Sequence, residues 1–180
     1  MQIIHRIIAI ILVLAGLFFT VIGITTPADT GFSQTEVILS PTQVVWQVLT
    51  DPERMPVWQP GLTNVTVAGN VGLREGTILH VYSRRYDPGL SHEDKVIRMT
   101  PEKNLTLMRI KSDRNTMIRD YSQEYELKKL LDGTTEVTCR IFYRCPGFIS
   151  RIYNRLYEEK VIENRSRENI RRLKSYIEKI

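Results

Sequence analysis

Few side chains in this 180-residue chain are suited to covalent chemistry, and their spacing removes several reaction classes at once. With 2 Cys and 3 His no four-ligand zinc set can form, and His5, His80 and His92 share no ligand spacing. No strand–turn–helix serine, phosphate-binding glycine loop or pair of histidines on one helix face is present, so no metal and no cofactor are expected. Acid–base chemistry remains. His80 shares a strand face with Tyr82, and such a pair can shuttle a proton to a substrate within hydrogen-bond reach. The plainer reading of His80 is a rim histidine, since no carboxylate at fixed spacing orients it. Glu36 lies in Thr35-Glu36-Val37-Ile38-Leu39, a pattern that does not declare its face; buried, it would be a general acid with a raised pKa.

Strand alternation supplies a second group. If Tyr125 and Leu127 face inward, so do Met117, Arg119, Tyr121 and Gln123, and on the following strand Val137, Cys139, Ile141 and Tyr143. An apolar wall with a few polar tips is the usual make-up of a small-molecule site. It is equally the make-up of a core in which Tyr121, Tyr125 and Tyr143 send their hydroxyls to backbone or water. Arg119 facing inward needs an anion, either a carboxylate or a ligand head group, because a lone buried charge is very costly; facing outward it is a solvated cation. Cys139 and Cys145 lie about 20 Å apart along an extended strand, too far for a disulfide, and both read as free thiols.

The elements that would position these residues follow from periodicity and breakers. A β-branched run over 34–39 reads as a strand. Ser40 as N-cap with Pro41 at the first helical position starts a short helix with an apolar stripe of Val44, Val45, Val48 and Leu49. Thr50-Asp51-Pro52-Glu53 restarts a second, which Pro56 ends. Strands are then expected at 62–68, 77–84, 93–99, 105–111, 117–128 and 136–143, with turns at Asp87-Pro88-Gly89, at 112–115 and at Asp132-Gly133. After Pro146-Gly147 no breaker occurs, and 148–180 reads as one basic helix with Ile149, Ile152, Leu156, Ile170, Leu173 and Ile177 apolar. One strand, two small helices, six antiparallel strands and one long helix make an α+β helix-grip: a curved seven-stranded sheet around the last helix.

The last helix invites two readings. Glu159, Lys160, Glu163 and Ser166 interrupt its stripe, and Arg165, Arg167, Arg171, Arg172 and Lys174 make it basic. A solvated outer face explains both features. Alternatively the polar break roofs a pocket, with a basic rim near anionic lipid head groups. The net charge of +5 permits an anionic partner, but basic and aromatic residues do not interleave, and no nucleic-acid role is expected.

Residues 7–24, IIAIILVLAGLFFTVIGI, carry no charge or amide and span about 27 Å as a helix, enough to cross a hydrocarbon core. A cleaved signal is the rival, though its apolar run is shorter and Thr26-Pro27-Ala28 is a poor cleavage site. Arg6 precedes the segment and no Lys or Arg follows until Arg54, which keeps the N-terminus cytoplasmic and sends the domain to the periplasmic or outer face. The chain thus divides into a transmembrane anchor and TTPADTG linker, 1–31, and a ligand-binding domain, 32–180.

The run Ile38-Leu39-Ser40-Pro41 into Val45-Trp46-Gln47-Val48-Leu49-Thr50-Asp51-Pro52-Glu53, then Pro56, Trp58, Pro60 and Gly61, resembles the SRPBCC superfamily, relatives of START and Bet v 1 domains. The likeness is to its polyketide cyclase/dehydrase-like branch, and Gly76-Thr77, Tyr125-Glu126-Leu127 before Asp132-Gly133-Thr134-Thr135, and Leu173-Lys174 fit as well. That resemblance implies a hydrophobic or amphipathic ligand (lipid, isoprenoid or quinone) held between sheet and last helix. With the strand-face pattern, the expected contacts are Trp58, Arg119, Tyr121, Gln123, Tyr125, Cys139 and Tyr143. It also allows a cyclase or dehydratase with His80, Tyr121 or Glu36 as acid or base. A tethered partner-binding domain with a filled core is the third reading.

Overall fold

The computed structural model describes residues 2–69, 72–83, 90–112 and 117–180, with the side chains of 90 and 91 also outside the description. The expected turn at Asp87-Pro88-Gly89 and most of that at 112–115 lie outside the described residues. Helix α1 spans Gln2–Thr25, followed by β1 (Asp29–Ile38), α2 (Thr42–Leu49) and α3 (Met55–Trp58). Then come β2 (Leu62–Val67), β3 (Ile78–Ser83), β4 (Leu90–Thr100), β5 (Asn104–Ser112), β6 (Arg119–Lys129) and β7 (Thr135–Arg144). A final helical run is built from α4 (Phe148–Tyr153), a π-helical turn (Asn154–Glu158) and α5 (Glu159–Ile177).

The seven strands form one antiparallel sheet in the order β1-β7-β6-β5-β4-β3-β2. Strands β2 to β7 are a meander, and β1 pairs in full register with β7, from Asp29 opposite Arg144 to Ile38 opposite Thr135. Helices α2 and α3 therefore carry the chain from one sheet edge to the other. Alternation sends Val137, Cys139, Ile141 and Tyr143 of β7 inward, where all four are buried. Helix α5 closes this concave face with Ile162, Ile170, Leu173 and Ile177, against α2 residues Val45 and Leu49. The expected α+β helix-grip architecture is the one observed.

Local chemistry differs from the sequence pattern in three places. Helix α2 starts at Thr42, with Pro41 in an extended conformation as its N-cap; Ser40 instead lends its carbonyl to the Thr135 hydroxyl at 2.8 Å. Pro56 sits in the first turn of α3 and opens that helix rather than ending it, since proline's missing N–H is harmless there. The first strand takes in Asp29, Thr30 and Gly31, residues read from sequence as linker, because each finds a partner on β7. The hairpin turn at Asp132-Gly133 forms as expected: Gly133 adopts a positive φ of 83°, and the Asp132 carboxylate accepts the amide and hydroxyl of Thr134.

Helix α1 has a mean hydropathy of 3.0 over its most apolar window and is long enough to cross a membrane. Its threonine hydroxyls are satisfied internally, Thr20 donating to the Gly16 carbonyl and Thr25 to that of Val21. Nearly the whole helix is uncovered by the domain; only the last turn packs, where a Cβ at Gly23 would overlap the Phe148 ring. At the far end Glu36 of β1 pairs with Lys174 at 3.6 Å and Arg171 at 3.9 Å, and the Leu39 amide donates to Glu178.

Apolar burial by α5, rather than these exposed ion pairs, is expected to hold the helix on the sheet. Leu173→Ala, which empties a fully buried site, should lower unfolding free energy by about 2–5 kcal/mol in urea titrations. Glu36→Gln should lower it by less than about 1 kcal/mol in the same titrations.

Candidate functional site: a polar cavity under the last helix

Between the inner face of β5–β7 and the last helix lies a cavity of about 820 Å³, within the size range of small-molecule sites. Its sheet wall carries Arg109, Arg119, Tyr121, Gln123 and Ile141, and its helix wall Tyr157, Val161, Arg165, Ser166 and Asn169. Ser166 and Asn169 are buried, whereas Met117, Arg119, Tyr153 and Tyr157 are exposed, so the mouth lies at the α4 end and the blind end under α5.

Irregular backbone shapes both walls. In β6 a bulge between Arg119 and Ser122, with Asp120 at a positive φ of 52°, breaks the alternation and brings three successive residues, Arg119, Asp120 and Tyr121, onto the cavity. Across from it the π turn widens the helix, and Asn154, Tyr157 and Glu158 all reach the cavity wall. Buried Asn154 fixes this turn: its amide oxygen accepts the Tyr143 hydroxyl at 2.9 Å and its amide nitrogen donates to Thr30 at 3.2 Å.

A line of charge and aromatic rings runs beneath the sheet wall. His92 Nε2 lies 3.2 Å from Asp94, and the other Asp94 oxygen is 3.3 Å from Arg109 Nε. The Arg109 guanidinium sits 4.4 Å from the Tyr121 ring centre, and Tyr121 stacks on Tyr143. Burial pushes the Asp94 carboxyl up, but the hydrogen bond to His92 and the charges of Arg109 and His92 outweigh it and hold the group below its ordinary 3.8. Burial likewise pushes the Tyr121 phenol up to about 12, against the opposing pull of Arg109 and Arg165. Tyr121 is therefore a neutral donor at physiological pH, fit to donate a hydrogen bond or a proton but not to act as a base. Among the described residues no carboxylate lies within ion-pair distance of Arg119 or Arg165, so the cavity offers two unneutralised guanidinium groups.

Of the residues singled out from sequence, Arg119, Tyr121 and Gln123 line the cavity. Tyr125, Cys139 and Tyr143 lie buried in the sheet wall beside it: Gln123 donates to the Tyr125 hydroxyl and to Cys139, and Ser166 donates to Cys139 from the helix. Trp58 is fully buried edge-on to Tyr125, and its indole nitrogen has no partner among the described residues. Burial pushes the thiols of Cys139 and Cys145 up, leaving both unreactive as well as unbridged. His80 alternates with inward Leu79 and Val81, so it faces the other side of the sheet beside Glu93. Glu36 faces the helix, but among the Arg171 and Lys174 cations far from the mouth. Arg109 and Asn169 belong to the site and were not singled out. The wall is consequently more polar than an apolar surface with a few polar tips.

Two expected outcomes test this wiring. The Asp94 pairing stabilises the fold above the ordinary carboxylate pKa, and that stability is lost as pH falls through the lowered value. The melting temperature of the wild type should therefore drop more steeply below pH 3.8 than that of Asp94→Asn. Asn154→Leu removes the acceptor of the Tyr143 hydroxyl and the donor to Thr30, and should reduce unfolding free energy by about 1–3 kcal/mol in denaturant titrations.

Solved structures with this fold are numerous. A protein of Nitrosospira multiformis aligns with a TM-score of 0.63 at 13% identity, over 82% of this chain and 96% of that one. One from Chromobacterium violaceum aligns at 0.60 and 14%, over 82% and 96%. The di-domain ARO/CYC StfQ of the steffimycin biosynthetic pathway aligns at 0.65 and 12%, over 84% of this chain but 51% of its own. At these identities the likeness is one of fold. No curated protein matches the chain in sequence. Residues 29–178, everything from the first strand to the end of the last helix, match the family model for polyketide cyclase / dehydrase and lipid transport, and the chain belongs to that family.

Proposed function

We propose that this chain is a membrane-anchored binding module that holds a hydrophobic or amphipathic small molecule, such as a lipid, isoprenoid or quinone, between sheet and last helix. The observation that carries this reading is the cavity of about 820 Å³ that opens beside exposed Tyr153 and Tyr157 and ends under buried Ser166 and Asn169. Its apolar lining of Met117, Ile118, Ile141, Val161 and Ile162 gives a hydrocarbon body about 25 cal/mol per Å² of buried apolar surface. Arg109, Arg119 and Arg165 then favour an oxygen-rich or anionic end, which replaces the carboxylate partner that two of them lack. Helix α1 suits a retained anchor with the domain on the periplasmic or outer face, and the family's association with lipid transport fits such a placement.

A second reading, cyclase or dehydratase chemistry, is favoured by one observation: the neutral Tyr121 phenol held against Arg109 inside the cavity. It would donate a proton to a departing hydroxyl, which leaves as water while a base removes the substrate hydrogen.

Native mass spectrometry of the full chain released gently from its membrane separates the two. Binding predicts a reproducible lipid- or quinone-sized adduct that is diminished by Arg165→Ala with Arg119→Ala and is chemically identical in wild type and Tyr121→Phe. Under dehydration, Tyr121→Phe would instead carry a compound heavier by one water than that of the wild type. A wild-type chain with no adduct, and no uptake from vesicles prepared from its own membrane lipids, would sink the binding reading.

A further inference from the structure

The helix that bounds the cavity mouth also touches the end of α1. Thr26, Pro27 and Ala28 alone separate α1 from β1, a span of about 10 Å even if extended. The domain is therefore held against whatever surface α1 enters. The last turn of α1 packs on Phe148, the first residue of α4, so that α4 begins at the depth where the apolar segment ends. From there Ile149, Ile152, Tyr153 and Leu156 recur at three- and four-residue spacing along one stripe. Ile149 is 68% exposed and Leu156 54%, although side chains of this kind elsewhere in the last helix, Ile170 and Leu173, are buried. Arg151 and Arg155 flank the stripe, as the cations of interfacial helices do.

We propose that this face of α4 and the π turn lies in the head-group region of the bilayer that α1 crosses, so that the cavity opens onto lipid rather than onto water. The proposal rests on α1 being a retained anchor. It gives a hydrophobic ligand a route from bilayer to cavity past Tyr153 and Tyr157 without crossing the aqueous phase.

The test uses the full chain in vesicles of phosphatidylcholine and phosphatidylglycerol, with a thiol-reactive fluorophore at Ile149→Cys, at Leu156→Cys and, as reference, at Asp132→Cys. Asp132 sits in the β6–β7 turn, about 30 Å along β7 from the helix, and the two native thiols are buried and resist labelling. Quenching by lipid-borne nitroxide should be several-fold stronger at 149 and 156 than at 132, and quenching by aqueous iodide several-fold weaker. Equal iodide quenching at all three positions overturns the proposal. Shielding of 149 and 156 from both quenchers also overturns it and marks the face as a contact between proteins. If Leu156→Cys disturbs the π turn, position 149 decides alone. Intact mass of the same sample keeps the anchor reading separate: a chain lacking α1 removes both, whereas a full-length chain with 149 and 156 in water removes only this proposal.

Discussion

One buried amide carries much of this architecture. Asn154 lies inside the last helical run, where an asparagine is ordinarily unfavourable, and it bonds both to Tyr143 on β7 and to Thr30 on β1. A helix lying on the sheet along its whole length would fill the concave face with side chains and leave no cavity. The π turn that begins at this residue holds the helix to the two strands at one level while its next turns stand off the sheet, and the apolar residues of α5 restore contact further along. Grip and cavity are thus two results of one local departure from α-helical geometry.

The electrostatics follow from where that cavity sits. An arginine drawn partly out of water needs compensation, and half-buried Arg109 receives it through Asp94 backed by His92. Arg119 on the sheet wall and Arg165 on the helix wall are exposed, and water solvates both.

Much of the fold was legible because its signals are local. Gly133 after Asp132 and the alternation of Val137, Cys139, Ile141 and Tyr143 each specify an element without help from distant residues, whereas the prolines at 41 and 52 marked the two short helices but not their first residues. The family resemblance rested on the same segments. The site was only half legible. Arg119, Tyr121 and Gln123 could be placed by counting along β6, but Arg109 shares a strand with outward Met108 and Ile110, and nothing local marks it as paired to Asp94 on the next strand. The bulge at Asp120 and the π turn have no sequence period, since each exists through contacts made across the fold. His80 illustrates the opposite error of attention: a chemically attractive residue whose strand parity already turned it from the cavity.

The pairing of the first strand with the last has a kinetic meaning. Strand β1 is made early in synthesis, but among the described residues its only sheet neighbour is β7, about a hundred residues later. Until β7 is made, β1 has no partner and the helical lid has nothing to cover, so the sheet cannot close on the growing chain. Contacts of such long sequence separation form slowly, and the edge of β1 waits unpaired in the meantime. Closure of the sheet by β1 and of the concave face by α5 therefore waits for the last elements of the domain, whereas the β2–β7 meander can pair strand by strand as it emerges.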